Sequence, residues 1–184
     1  MTIVTPLNRQ RRIAGDDLLI TMADTQGIIT YANDAFCRTH ACHEHDVLRH
    51  PHDILRHPDM PAVIFELVWQ RLNAGREVFG YLKNLARNGD YYWTLAHWTV
   101  NADRSGRAAG YQCCRRAASP ESIAAVEPIY REMRRIETSA ATPQDGLVRS
   151  RQILNQMLAS RGQGYDQFVL SLAMMDEPAA CRAA

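Results

Sequence analysis

The spacing of apolar residues changes several times along the chain, and each change marks an element. Residues 18–22 form a short apolar run and 27–31 a second one rich in β-branched side chains. Asp24-Thr25-Gln26-Gly27 between them has turn chemistry, so the pair reads as a β-hairpin. At Asn33 the period shifts; its amide can cap a short helix carrying Ala35 and Phe36. The polar stretch 40–58 has little regular pattern and predicts short helical turns and loops. Pro61 then opens the clearest helix, because Ile64, Phe65, Val68 and Leu72 recur at helical spacing. Asp59 is placed to cap it or to complement its dipole, and Gly75 suits its end. Three strand-like runs follow, 77–86, 91–100 and 107–116, separated by Arg87-Asn88-Gly89-Asp90 and Asp103-Arg104-Ser105-Gly106. Two strands, short helices, one longer helix and a three-strand meander predict an α+β fold. Its five-stranded antiparallel sheet carries helices on one face, with a concave pocket between the layers.

Ser119-Pro120-Glu121 starts a further helix by cap-and-proline chemistry. Val126, Ile129, Met133 and Ile136 continue it at three-four spacing, although Pro128 removes a helical hydrogen bond. The segment 138–145 reads as a linker, and weaker helical patterns follow over 146–159 and 165–175. The expected organisation is a flexible segment over 1–15, a globular domain over 16–118, a helix over 119–137, and a linker with a helical extension over 138–184.

Composition narrows the function. A chain of 184 residues, 46% hydrophobic and 22% charged, can bury one core, and a formal charge of +1 gives no electrostatic footprint for nucleic acid. No run reaches the roughly 20 apolar residues that span a bilayer. Arg9, Arg11 and Arg12 have no apolar region behind them, which excludes a secretory signal and leads to the expectation of a cytoplasmic protein. Five cysteines, Cys37, Cys42, Cys113, Cys114 and Cys181, fit free thiols in a reducing compartment. Cys37, His40, Cys42, His43 and His45 are dense but irregularly spaced for a metal site. Without a nucleophile elbow, a phosphate loop or another catalytic motif, no enzyme is expected.

Arg56-His57-Pro58-Asp59-Met60-Pro61 is followed by Phe65, Trp69, Leu72 and Gly75, then by Lys83-Asn84 and Asn88-Gly89-Asp90-Tyr91-Tyr92-Trp93. With Tyr31-Ala32-Asn33-Asp34-Ala35-Phe36 upstream and Gly110-Tyr111 plus 124–130 downstream, this pattern resembles the PAS domain of bacterial aerotaxis receptors over about residues 16 to 131. The resemblance implies a PAS sensor domain at 16–118 and a signalling helix at 119–137. It also implies FAD held non-covalently between sheet and helices, with redox or oxygen state reported to chemotaxis signalling. Arg56, His57 and Asp59 fall on the motif implicated in holding the flavin, and Asn33, Asn84, Trp69 and Trp93 on positions near the pocket. The chain departs from the family where Val78-Phe79-Gly80 replaces a Pro-Trp pair before the glycine.

The residue types suit such a ligand. Arg56 offers a planar fork for a pyrophosphate, or is a solvated loop arginine. His57 can hydrogen-bond a cofactor or cap the loop before the helix. Asn84 is out of character on a strand and matches the donors and acceptors of a flavin edge, or faces water from an edge strand. Trp69, Trp93, Trp98 and Phe79 can stack on a ring system or fill a core. Haem b is the rival cofactor, with His50, His52 or His57 as axial ligand; a cofactor-free docking scaffold is the rival of another class. The expected output is a protein partner, such as a chemoreceptor-like transducer, or homodimerisation.

Overall fold

The computed structural model describes residues 4–174, so Cys181 and the end of the 165–175 pattern lie outside the described residues. Strands β1 (Leu19–Ala23) and β2 (Ile29–Ala32) form the expected hairpin; Asp24 accepts from Gln26 and Ile28 and shapes its turn. Helix α1 (Asp34–His40) starts where Asn33 accepts from the Phe36 amide at 2.9 Å. The polar stretch that follows contains two 3-10 turns, Glu44–Asp46 and His52–Leu55. Helix α2 (Ala62–Asn73) precedes the meander of β3 (Val78–Leu85), β4 (Tyr91–Ala102) and β5 (Ala108–Ala117). The five-stranded antiparallel sheet has the order β2-β1-β5-β4-β3.

The register sorts side chains onto two faces. Asn84 lies opposite Tyr92, Leu82 opposite Thr94 and Val78 opposite Trp98; Trp98 in turn faces Cys113, and Cys113 faces Thr21. This inner face meets α1, the 3-10 turns and α2, where Met60, Val63, Ile64, Val68 and Leu72 are buried. Tyr81, Lys83, Trp93, Leu95 and Cys114 belong to the outer face.

Helices α3 (Pro120–Ser139), α4 (Pro143–Ser160) and α5 (Tyr165–Ala173) complete the described chain. Proline in the first turn of α3 and α4, with Ser119 and Thr142 as side-chain caps, sets where each of these two helices begins. Only residues 140–142 separate α3 from α4, so the 138–145 linker is shorter than expected, because Pro143 and Thr142 start the next helix at once. Helix α3 carries Val126, Tyr130 and Met133 into the core and continues through Pro128. Tyr130 stacks on Trp93 and donates to the Tyr81 carbonyl at 3.0 Å. Tyr81 donates to Ser122 at 3.3 Å, and Ser122 donates to the Leu172 carbonyl at 2.8 Å. The C-terminal helices thus cover the β3 side of the outer face.

Two long-range contacts revise the expectations. Residues 7–11, expected to be part of a flexible start, run along the β3–β4 turn: Leu7 donates to the Gly89 carbonyl, Arg11 to that of Tyr91, and Tyr91 to that of Arg9. Arg9 adds a bond to Asp90 at 2.5 Å. Gly89 sits at φ 89°, and a Cβ there would stand 2.6 Å from the Thr5 carbonyl oxygen, so glycine serves both turn and contact. The N-terminus of α2 is capped by Glu137 of α3 and not by Asp59; its carboxylate accepts from Ala62 at 2.7 Å and Val63 at 3.0 Å. Asp59 pairs with Lys83 instead, at 2.5 Å.

Candidate functional site

The Arg56-His57-Pro58-Asp59 segment lies along the free edge of β3. Arg56 forms a backbone bridge with Asn84, and the His57 amide donates to the Lys83 carbonyl at 3.3 Å. Backbone pairing thus places the loop beside the strand that carries Asn84. The Arg56 guanidinium donates to the Met60 carbonyl at 2.7 Å and lies 4.8 Å from the Phe65 ring centre. His57 is buried edge-on to Tyr91, and its Nδ1 accepts from the Asp59 amide at 3.1 Å. Burial, assisted by the Lys83 ammonium, lowers its pKa, so the ring is neutral. Burial is the largest influence on the Asp59 carboxyl and works to raise it, but the Lys83 hydrogen bond together with the charges of Lys83 and Arg134 outweighs burial and holds the pKa low.

The remaining expected residues divide between locations. Asn84 is buried on the inner face and donates to Thr94 at 3.2 Å and to the Leu82 carbonyl at 3.3 Å. Trp69 of α2 meets Tyr111 edge-on and, with Thr21, Ala23, His52, Trp98 and Cys113, lines the inner-face space. Asn33 is occupied by structure: its side chain accepts from the Ile20 and Phe36 amides and donates to the Leu18 carbonyl. Trp93 lies on the outer face, because its neighbour Tyr92 shares the face of Asn84. It lines, with Asp59, Lys83, Tyr130 and Arg134, a hollow of about 100 Å³ beside the loop. The structure therefore joins Arg56, His57, Asp59 and Asn84 along one edge, places Trp69 across the inner face, sets Trp93 beside Asp59 but on the outer face, and leaves Asn33 apart.

One inner-face group was not singled out from the sequence. Arg115 on β5 is fully buried, donates to Thr21 Oγ1 at 3.0 Å, and contacts His52 Nε2 at 2.6 Å. His52 Nε2 therefore accepts, which puts the ring proton on Nδ1 and keeps the imidazole neutral. Burial, then the charge of Arg115, lowers the His52 pKa; the same two causes push His40 down to about 3. The signal that could have found Arg115 is period two: it shares the parity of Tyr111 and Cys113, which puts a cation on the core face of its strand.

Residues 29–115 match the family described as PAS fold. This segment is a PAS domain. Over 134 residues the chain is 37% identical to the aerotaxis receptor of Escherichia coli strain K12, which covers 69% of this chain and 25% of the receptor. The chain thus spans about a quarter of that relative's length. Among solved structures, a light-oxygen-voltage domain from a study of a flavin analogue aligns with TM-score 0.55 and 20% identity, covering 59% of this chain and 83% of its own. The dark structure of the blue-light photoreceptor Aureochrome1 LOV aligns at 0.54 and 16%, covering 65% and 86%. At these identities they show the shared fold. No helix among the described residues is long and apolar enough to cross a membrane.

A flavin can be tested against the inner face of the PAS domain by chemistry and by space. The donor set fits: Asn84, Thr94, Thr21, His52 and Arg115 are polar groups in an otherwise apolar layer, and the buried Arg115 Nε has no hydrogen-bond partner. The space at Trp69 is small, about 10 Å³, whereas ligand pockets run to roughly 300 Å³ or more. A tricyclic ring enters there only if Trp69 and Tyr111 part. For haem, one ring nitrogen of each of two candidate ligands, His52 Nε2 and His57 Nδ1, is already hydrogen-bonded within the protein.

Proposed function

We propose that this PAS domain binds FAD non-covalently on its inner face and relays redox or oxygen state to a signalling partner. One observation carries the reading: residues 56–63 touch both the wall of the inner face and helix α3. Arg56 bridges Asn84 on β3, Asp59 pairs with Lys83, Arg134 of α3 donates to the Pro58 carbonyl at 2.9 Å, and Glu137 of α3 caps α2. Any displacement of β3 or of this loop is therefore felt by α3. A bound flavin supplies redox chemistry at a planar ring whose edge exchanges hydrogen bonds with its surroundings.

The residues have distinct parts in this reading. Arg56, His57 and Asp59 hold the cofactor from the β3 edge, Asn84 reads the ring edge, and Trp69 moves aside to stack on the ring. Asn33 supports the site by fixing α1 to β1, and Trp93 transmits from β4 to Tyr130 of α3. The population of two α3 arrangements would shift with the hydrogen bonds made at Asn84. The output is docking to a chemoreceptor-like transducer or a second copy of the chain, in the cytoplasm, without catalysis by this domain.

The deciding measurement is the visible spectrum of protein purified from a host replete in flavin and haem. Flavin bands are expected; a Soret band would assign haem, and a colourless folded protein would leave a docking scaffold. Arg56→Ala and His57→Ala are each expected to lower flavin retention. Unchanged stoichiometry in both would move the site elsewhere.

A further inference from the structure

Arg115 presents a buried cation whose neighbours do not account for it. It reaches none of the ion pairs among the described residues. Its partners are the neutral Thr21 and His52, and its guanidinium carbon lies 5.7 Å from the Phe36 ring centre. Together they bond two of its three nitrogens and leave Nε–H without an acceptor. Isolated charges are among the costliest groups to bury, and proteins normally pair them. A purely structural tie between β5, β1 and the 3-10 turn could be made without a charge.

The partners are also self-sufficient. Thr21 Oγ1 and His52 Nε2 lie 3.0 Å apart, so the hydroxyl can donate to the imidazole when the guanidinium is gone. Removing Arg115 would therefore orphan neither of them. Both also line the small space closed by Trp69, Trp98 and Tyr111, so Arg115 is joined to that space through its two partners.

We infer that Arg115 is a cofactor-binding residue, held in place by Thr21 and His52, whose Nε–H donates to the electron-rich carbonyl edge of the flavin ring. This rests on the flavin reading and adds a residue and a direction to it: the inner-face anchor lies on β5, across the sheet from the Arg56 loop. The cost of burying the charge is offset when the ring edge supplies the missing acceptor, so the site trades stability without ligand for affinity.

The test uses the full chain stripped of flavin, with FAD as the probe. FAD dissociation constants and urea midpoints are measured for wild type, Arg115→Met and Arg115→Lys. Arg115→Met is expected to bind FAD roughly 10- to 100-fold more weakly, the scale of one charge-assisted hydrogen bond. Its FAD-free urea midpoint should equal or exceed that of wild type. Arg115→Lys keeps the charge but lacks the Nε–H direction, and should also bind at least about tenfold more weakly. Binding by Arg115→Met within twofold of wild type, or a midpoint lowered equally with and without FAD, overturns the inference. If Arg115→Met does not fold, wild-type affinity in Arg115→Lys overturns it instead. Wild type that does not bind FAD removes the flavin reading itself, whereas wild-type binding that is indifferent to Arg115 removes only the anchor.

Discussion

The two faces of the sheet bury comparable side chains under different rules. On the outer face, Trp93, Tyr81 and Tyr130 pack together, and the hydroxyls of both tyrosines have partners. On the inner face, His40 and Tyr92 share a bond at 3.1 Å, but Arg115 keeps an unpartnered nitrogen in the core. Packing and hydrogen bonding agree within this outer-face cluster, as they do where a surface exists to hold a fold together, and the buried groups that the covering helices leave unpartnered, the Ser150 and Tyr165 hydroxyls, are neutral. They conflict on the inner face, and such conflicts concentrate at functional sites.

Substitutions at equivalent depth break or sharpen this contrast. The largest effect belongs to the outer face: Trp93→Ala should destabilise by about 3–5 kcal/mol through its cavity and the lost stacking on Tyr130, read as a lowered urea midpoint. The FAD-free Arg115→Met protein should show no such loss, and an equal fall for both would erase the distinction.

Next comes the link between α3 and α2. Glu137→Ala leaves the Ala62 and Val63 amides without their carboxylate, and should cost about 2 kcal/mol. If α3 reads the loop at 56–63, amide exchange in the first turn of α2 should rise together with the unfolding of α3. Exchange confined to α2 would uncouple them.

Acid separates the faces in another way. His40 has a pKa of about 3 in the folded chain, lowered by burial and then by Arg115, against about 6.5 when unfolded. Below pH 6.5 the unfolded chain takes up the proton and the folded chain does not. Stability contributed by the neutral ring is thus complete above pH 6.5 and is lost as the pH falls towards 3. The slope approaches about 1.4 kcal/mol per pH unit for each such imidazole, and His52 acts in the same direction. Urea midpoints from pH 7 to pH 4 should show this decline, and His40→Gln should flatten it. Arg115→Met should flatten it too, because the guanidinium helps to lower both histidines. The smallest effect returns to the outer face: Tyr130→Phe removes one hydrogen bond to the Tyr81 carbonyl and should cost about 1 kcal/mol, without altering the acid slope.

Much of the fold was legible because its signals are local. The Asn33 cap, the turns at Asp24 and Asn88-Gly89, and the proline start of α3 act over a few residues, and each appears where its chemistry predicts; the start of α4 at Pro143 instead falls inside the stretch read as a linker. The site was only partly legible. Arg56, His57 and Asp59 stand out as a motif, yet nothing in the motif says that Arg56 pairs by backbone with Asn84 or turns its side chain onto Phe65 and the Met60 carbonyl. Trp93 reads like Trp69 in composition, and only the register of β4 against β3 puts them on different faces. The departure at Val78-Phe79-Gly80 has a spatial counterpart: a Cβ on Gly80 would stand 3.1 Å from the Tyr165 hydroxyl, so α5 reaches the strand where the family pattern changes.

The order of strands and helices, the turn positions and the alternating faces of each strand were determined by the sequence alone, since periodicity and caps depend on neighbours within about four residues. Tertiary structure decided which distant groups meet. Glu137 finds the end of α2 from 74 and 75 residues away, and Arg115 finds Thr21 from 94. These partners are selected by the approach of whole elements, and burial gives them their weight by removing water as an alternative partner.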